Sequence, residues 1–163
     1  MNFPKQIQQL ASDLNKKLAD ISFPAPVAYV YNAFDYAFNG YVAYTDKFAQ
    51  GNKRVLLLGM NPGPWGMSQT GVPFGEIPSV REWMGLDANI GQPSPEHPKR
   101  PVQGFACNRS EVSGRRLWGF FAEHFGSPEN FFKDHFVANY CPLAFLEDSA
   151  RNLTPDKLPS TVS

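Results

Sequence analysis

The chain has 163 residues, 42% hydrophobic and 14% aromatic, with 15 Lys and Arg balanced by 15 Asp and Glu. That length suits one domain with a buried core, and a net charge of zero does not drive the chain onto nucleic acid, so any such binding needs a local patch. No apolar run is long enough to cross a bilayer, the N-terminus lacks the apolar core of a signal peptide, and two cysteines are too few for a structural zinc site or an iron–sulfur cluster without other ligands.

Ile7, Leu10, Leu14 and Leu18 recur at helical spacing and predict an amphipathic helix over residues 5–20, stopped by Phe23-Pro24-Ala25-Pro26. Val27 to Phe48 is dense in aromatics, including Tyr29, Tyr31, Phe34, Tyr36, Phe38, Tyr41 and Tyr44. A base-stacking platform is one reading; a layer packed against a sheet is the favoured one. Gly51-Asn52 then turns the chain into Val55-Leu56-Leu57-Leu58, an unbroken apolar run of the kind buried on both faces of a parallel sheet. The run breaks at Gly59 and passes through Asn61-Pro62-Gly63-Pro64 into a loop. Ligands of open α/β sheets collect beyond the carboxyl ends of strands, so Asn61 is a site candidate by position alone.

Further along, Ser79 and Glu82 have capping-box spacing for a short helix, Ser79 to Gly85. Residues 87–104, with Pro93, Pro95, Pro98 and Pro101, read as an irregular loop. Its His97-Pro98-Lys99-Arg100 is either solvated surface charge or a phosphate contact. A helix is predicted from Ser113 to Phe125, with Leu117, Phe120, Phe121 and Phe125 on its buried side and Gly126 as C-cap. Arg115 and Arg116 fall in its first turn, where the helix dipole disfavours cations; a phosphate would offset that conflict. Ser127-Pro128-Glu129 has the form of another helix start and leads to a second strand, His135 to Tyr140. This strand also delivers an asparagine, Asn139, so two carboxamides would share one edge of a parallel sheet. The tail from Glu147 to Ser163 is polar, and Leu153-Thr154-Pro155-Asp156 starts a helix that is not continued.

A carboxamide both donates and accepts, so it can match the edge of a nucleobase or orient one water, but it cannot take a proton as a carboxylate does. The sequence has no Gly-x-Ser-x-Gly elbow, P-loop or dinucleotide fingerprint, and His97, His124 and His135 lack metal-ligand spacing. No lysine stands out as a Schiff-base nucleophile. A phosphate loop over Gly59–Gly63 would require a helix directly after Gly63, where Pro64, Gly66 and Gly71 make a long loop instead. No cofactor and no metal are expected.

Gly59-Met60-Asn61-Pro62-Gly63-Pro64, Gly66-Met67 and Gln69-Thr70-Gly71-Val72-Pro73-Phe74-Gly75-Glu76 closely resemble the first active-site motif of the single-strand-selective monofunctional uracil-DNA glycosylases. The resemblance extends to Glu96-His97-Pro98-Lys99-Arg100-Pro101-Val102, Ser110-Glu111-Val112-Ser113-Gly114, Trp118-Gly119-Phe120-Phe121, Asn139 with Cys141-Pro142-Leu143, and Arg151-Asn152-Leu153-Thr154-Pro155. It implies an α/β fold of three layers, α/β/α, with a central parallel sheet. It also implies a base-excision enzyme that flips uracil or 5-substituted uracils such as 5-hydroxymethyluracil out of single- or double-stranded DNA and hydrolyses the N-glycosidic bond, leaving an abasic site. By the same resemblance Asn61 orients the attacking water, Phe74 stacks on the base and Asn139 pairs with the edge of uracil. Met60 and Gly63 fall where room is left near C5. DNA is the implied partner, touched by Lys99, Arg100, Arg115 and Arg116, and a monomer is expected, nuclear in a eukaryote and in the cytoplasm or nucleoid of a bacterium.

The sequence also departs from that pattern. A second motif, His-Pro-Ser-Pro-Arg-Asn, whose histidine faces the uracil oxygen that gains charge, is absent, and His97 belongs to a different block. Trp65 stands where Phe is usual. The chain stops after Arg151-Asn152-Leu153-Thr154-Pro155, where the resemblance implies further strands and helices. The expectation is an incomplete sheet, a first strand with one free edge, and impaired turnover; a non-catalytic uracil- or nucleic-acid-binding remnant is the alternative.

Overall fold

The computed structural model describes residues 2–160. Helix α1 (Phe3–Leu18) is capped by the Asn2 side chain, which accepts from the Lys5 amide, and carries Pro4 in the first turn, where a missing amide costs nothing. It lies against α3 (Phe38–Phe48), where buried Gln8 donates to Thr45 Oγ1 at 2.9 Å and to Asp46 at 2.7 Å. The aromatic segment forms β1 (Tyr29–Asn32), the short α2 (Ala33–Tyr36) and α3. Tyr31, Tyr41, Tyr44 and Phe48 are buried, so this segment is a packed layer and not a stacking platform. Tyr44 spans the core: its hydroxyl donates to the Val137 carbonyl at 2.9 Å and its ring meets Phe132 and Phe136.

Strands β2 (Val55–Gly59) and β3 (His135–Asn139) pair in parallel, Val55 opposite His135 and Gly59 opposite Asn139. Beyond their ends the Tyr140 and Cys141 amides donate to the Gly59 and Met60 carbonyls at 2.8 and 2.9 Å, which ties the two following loops together. The chain then forms β4 (Leu143–Leu146), which pairs antiparallel with β1 on one side and with β5 (Asn152–Leu153) on the other. A single helical turn, α4 (Met67–Thr70), interrupts the loop expected after Gly63, and helices α5 (Val112–Phe125) and α6 (Pro128–Phe132) cover the core with Trp118, Phe131 and Phe132. The α/β reading holds, with both helix starts and the parallel pair where the sequence pattern puts them. The antiparallel sheet is an addition.

Three local expectations differ from the structure. Strand β2 is not buried on both faces: Leu56 is 62% and Leu58 57% exposed, and of this run Leu57 packs into the core. An apolar run signals burial only when a layer covers each face, and among the described residues β3 is the one strand beside β2. The Ser79–Glu82 capping box does not form. Residues Ser79–Trp83 make one wide π-helical turn, and the Ser79 amide and hydroxyl donate instead to the buried Glu76 carboxylate at 3.2 and 2.5 Å. In α5 Phe120 is 61% exposed, whereas Trp118 is buried, because close approach of Gly114 to the Phe74 carbonyl turns the Gly114–Trp118 face inward. As expected, the Leu153–Asp156 start is not continued: after β5 it yields a single 3-10 turn, Pro155–Lys157. The end of the polar tail, residues 161–163, lies outside the described residues.

Two caps follow expectation. Gly126, at φ 75°, ends α5 with its amide on the Ala122 carbonyl at 3.0 Å. Ser127 starts α6 by accepting from the Asn130 amide at 3.2 Å.

Candidate active site

A cavity of about 560 Å³ opens at the carboxyl ends of β2 and β3, a volume that suits a small-molecule or base-sized ligand. Met60, Asn61, Gly63, Pro64, Phe74 and Asn139 line it, joined by Glu111, Val112, Ser113 and Arg116 from the start of α5, by Asn152 from β5 and by Thr154 just after it. The two carboxamides therefore do share one edge of the parallel pair. Asn61 Nδ2 donates to the Leu143 carbonyl at 3.0 Å, which orients the amide and leaves Oδ1 to accept from a water or hydroxyl. Asn139 Nδ2 contacts Met67 Sδ at 3.1 Å, a weak acceptor that a ligand carbonyl can replace.

Gly59 and Phe74 are linked. A Cβ on Gly59 would fall 2.7 Å from Phe74 Cζ and would collide with Asn139 Oδ1. Its bare Cα is what lets an aromatic ring and a carboxamide meet over the end of β2. Phe74 is held at φ 54°, a conformation costing about 1–3 kcal/mol for a bulky residue unless its surroundings enforce it. The enforcement is visible: the Trp118 indole donates to the Phe74 carbonyl at 2.9 Å and the Glu76 amide to the same oxygen at 2.7 Å. Thr70 Oγ1 secures the next residue by donating to the Gly75 carbonyl at 2.9 Å. Glu76 in turn accepts from Ser79 and, at 2.9 Å, from Ser110 Oγ, which anchors the loop to the approach to α5.

Glu111 is the residue that sequence reasoning passed over. It lay inside a matched block without a role, and an acidic residue at a helix start is too common to signal one. Its Oε1 accepts from Ser113 Oγ at 2.6 Å, and its Oε2 is buried with no hydrogen-bond partner among the described residues. Burial pushes this carboxyl above the ordinary carboxylate range; the Ser113 hydrogen bond opposes that rise and the Glu76 charge adds to it. Asn152 Oδ1, also at the cavity, is a second buried acceptor lacking a donor among the described residues.

The four basic candidates separate. Arg116 lines the cavity, whereas Arg115, Lys99 and Arg100 do not. The Arg100 guanidinium lies 5.4 Å from the Trp65 ring centroid, and Arg109, which drew no attention in the sequence, lies 5.3 Å from the same ring. Among the described residues neither forms an ion pair. His97 is buried away from the cavity. Its Nδ1 accepts from the Lys99 amide at 3.0 Å, so Nε2 carries the proton and donates to the Asp148 carbonyl at 3.0 Å. That makes it a structural histidine. No group of three or more candidate metal ligands occurs among the described residues.

No family model matches the chain. It is 54% identical over 147 residues to the single-strand selective monofunctional uracil-DNA glycosylase of Rattus norvegicus, covering 90% of this chain and 53% of that protein. The corresponding protein of Mus musculus is also 54% identical over 147 residues, and that of Bos taurus 52%, at 53% and 54% of their lengths. The chain thus spans about half the length of the curated relatives it matches. The crystal structure of wild-type Pedobacter heparinus SMUG2 superimposes with a TM-score of 0.56 at 20% identity, over 88% of this chain and 58% of that one, and shares the fold.

Proposed function

We propose that this chain, a relative of the single-strand selective monofunctional uracil-DNA glycosylases over nine-tenths of its own length, carries the base-binding and water-positioning part of a uracil-excision site. The observation that supports the reading most is the convergence of Asn61, Phe74 and Asn139 in one cavity at the strand ends. A uracil flipped from DNA stacks on Phe74, which returns about 1–3 kcal/mol of the few kcal/mol that extrusion costs. The Asn139 carboxamide donates to a uracil carbonyl and accepts from the ring N–H. Cytosine, which presents an amine where uracil presents a carbonyl, leaves that donor unmatched.

Asn61 Oδ1 accepts a hydrogen bond from the attacking water, fixed by the Nδ2 bond to Leu143. As the C1′–N1 bond breaks, its electron pair leaves with uracil; water adds to the cation-like C1′ and loses a proton to solvent. An amide suffices where bond breaking runs ahead of attack. Arg116 is the cation at the cavity, and Arg100 and Arg109 flank Trp65 on the adjoining loop, so phosphates entering or leaving the site meet these three guanidinium groups. Met60 and Gly63 border the base and bear on acceptance of 5-substituted uracils.

No histidine is among the residues lining the cavity, so the Asn139 carboxamide donates to the departing base without an imidazole beside it, and turnover is expected about 10²–10³ below that of a site with such a second donor. That observation favours a second reading, a uracil binder without turnover. An incision assay on uracil-containing single-stranded DNA, beside a binding measurement on the same strand, separates the two. Slow product supports the first reading and binding without product the second. Neither binding nor product removes both.

A further inference from the structure

Glu111 closes on two glycines of the loop that carries Asn61. A Cβ built on Gly63 would lie 2.8 Å from Glu111 Cδ and one on Gly66 2.6 Å, with Oε2 nearer still. Gly63 has no positive φ, so backbone freedom does not explain it; what this position requires is the absence of a side chain. The carboxyl is held in place. Oε1 accepts from Ser113 at 2.6 Å, the Glu111 carbonyl accepts from the Arg115 amide at 2.9 Å as α5 begins, and Oε2 is buried against the glycines without a donor among the described residues. A carboxyl oxygen in that state adds little to stability, since a buried polar atom without a partner carries its full desolvation cost. What it supplies is bulk, at a wall of the cavity shared with Asn61 and Phe74.

We propose that Glu111 is a specificity-determining residue: its carboxyl occupies the side-chain space that Gly63 leaves empty and so limits the size of the base that can enter beside Asn61. The inference rests on the reading that a uracil base occupies this cavity. It reassigns Gly63, whose missing side chain then makes room for Glu111 before it makes room for the base. The ligands selected are uracils bare at C5 or carrying a small group there, because C5 can be enlarged without altering the N–H and carbonyl edge that a carboxamide pairs with.

The test compares wild type, Gly63→Ala, Glu111→Ala, Glu111→Gln and the double variant Gly63→Ala/Glu111→Ala. Each is followed by thermal unfolding and by binding to single-stranded oligonucleotides carrying one 2′-fluorinated, uncleavable uracil or 5-iodouracil nucleotide. Gly63→Ala is expected to lower the melting temperature and weaken uracil-strand binding about tenfold, as overpacking does. Adding Glu111→Ala restores both to near the level of Glu111→Ala alone. Glu111→Ala binds the uracil strand within about threefold of wild type and gains about fivefold or more on the 5-iodouracil strand, whereas Glu111→Gln, which keeps the volume, selects as wild type does. A double variant as poor as Gly63→Ala overturns the proposal, and so does a harmless Gly63→Ala, unchanged selection in Glu111→Ala, or a Gln variant that opens the site. If wild type binds a uracil strand no better than a cytosine strand, the glycosylase reading fails and the specificity role falls with it. The unfolding cycle then shows separately whether Glu111 fills the space at Gly63.

Discussion

The two ends of one short stretch of chain are built differently. At the carboxyl end of β2, Asn61 is locked by donating to the Leu143 carbonyl, and Gly59, Phe74 and Glu76 by accepting from Tyr140, Trp118 and the Ser79 and Ser110 hydroxyls, all within this chain. Along the strand itself Leu56 and Leu58 are bare, and β2 has a strand neighbour on one side among the described residues. The geometry of the cavity is therefore preorganised by local contacts and does not depend on what lies against the outer face of β2. A site of this kind can keep its shape whatever covers the other edge and face of β2.

Breaking the locked end should produce the largest effects. Asn61→Ala is expected to reduce uracil release by about 10²–10³ or more while leaving uracil-strand binding within a few fold, measured by single-turnover incision in a protein of the relatives' full length. Equal loss of binding would show that Asn61 holds the fold and not the water. Gly59→Ala is next, at about 1–3 kcal/mol of stability and most of the uracil preference, because its Cβ collides with Phe74 and Asn139. Denaturant unfolding and strand binding read both losses. Trp118→Phe keeps an aromatic ring but loses buried volume and the indole donor to the Phe74 carbonyl, the lost donor alone costing about 1–3 kcal/mol; retained uracil preference in that variant would mean that the φ 54° conformation of Phe74 is secured elsewhere.

Smaller effects sharpen the contrast. The Glu111 carboxyl is raised in the folded state, so over the window from the ordinary carboxylate value up to that raised value the folded protein binds more protons than the unfolded one. Stability then falls as pH rises through that window, and Glu111→Gln should remove this component of the slope in unfolding measured across mildly acidic pH. Leu56→Lys and Leu58→Lys on the bare face should change stability by no more than about 0.5 kcal/mol and leave uracil-strand binding intact. A larger loss would show that this face is covered in solution.

The sequence by itself determined the elements whose signals are local. The α1 stripe, the Ser127-Pro128 start, the Gly126 cap and the two strands that each lead to an asparagine all rest on periodicity, capping chemistry or turn residues within a few positions. Asn61 and Asn139 were legible for the same reason, since strand ends can be read from the chain and parallel pairing sets both on one edge.

Only the tertiary structure decided the rest. Strands β1, β4 and β5 are two to four residues long, and Tyr29 pairs with Leu146 across most of the chain, too short and too distant for alternation to announce them. Burial of β2 depends on neighbours that an apolar run does not specify. Gly59 reads in the sequence as the break of the apolar run and Gly63 as room near C5, but what requires them is a ring and a carboxyl arriving from residues 74 and 111. Such close approaches are set by packing between distant segments, which leaves no periodic trace in the sequence.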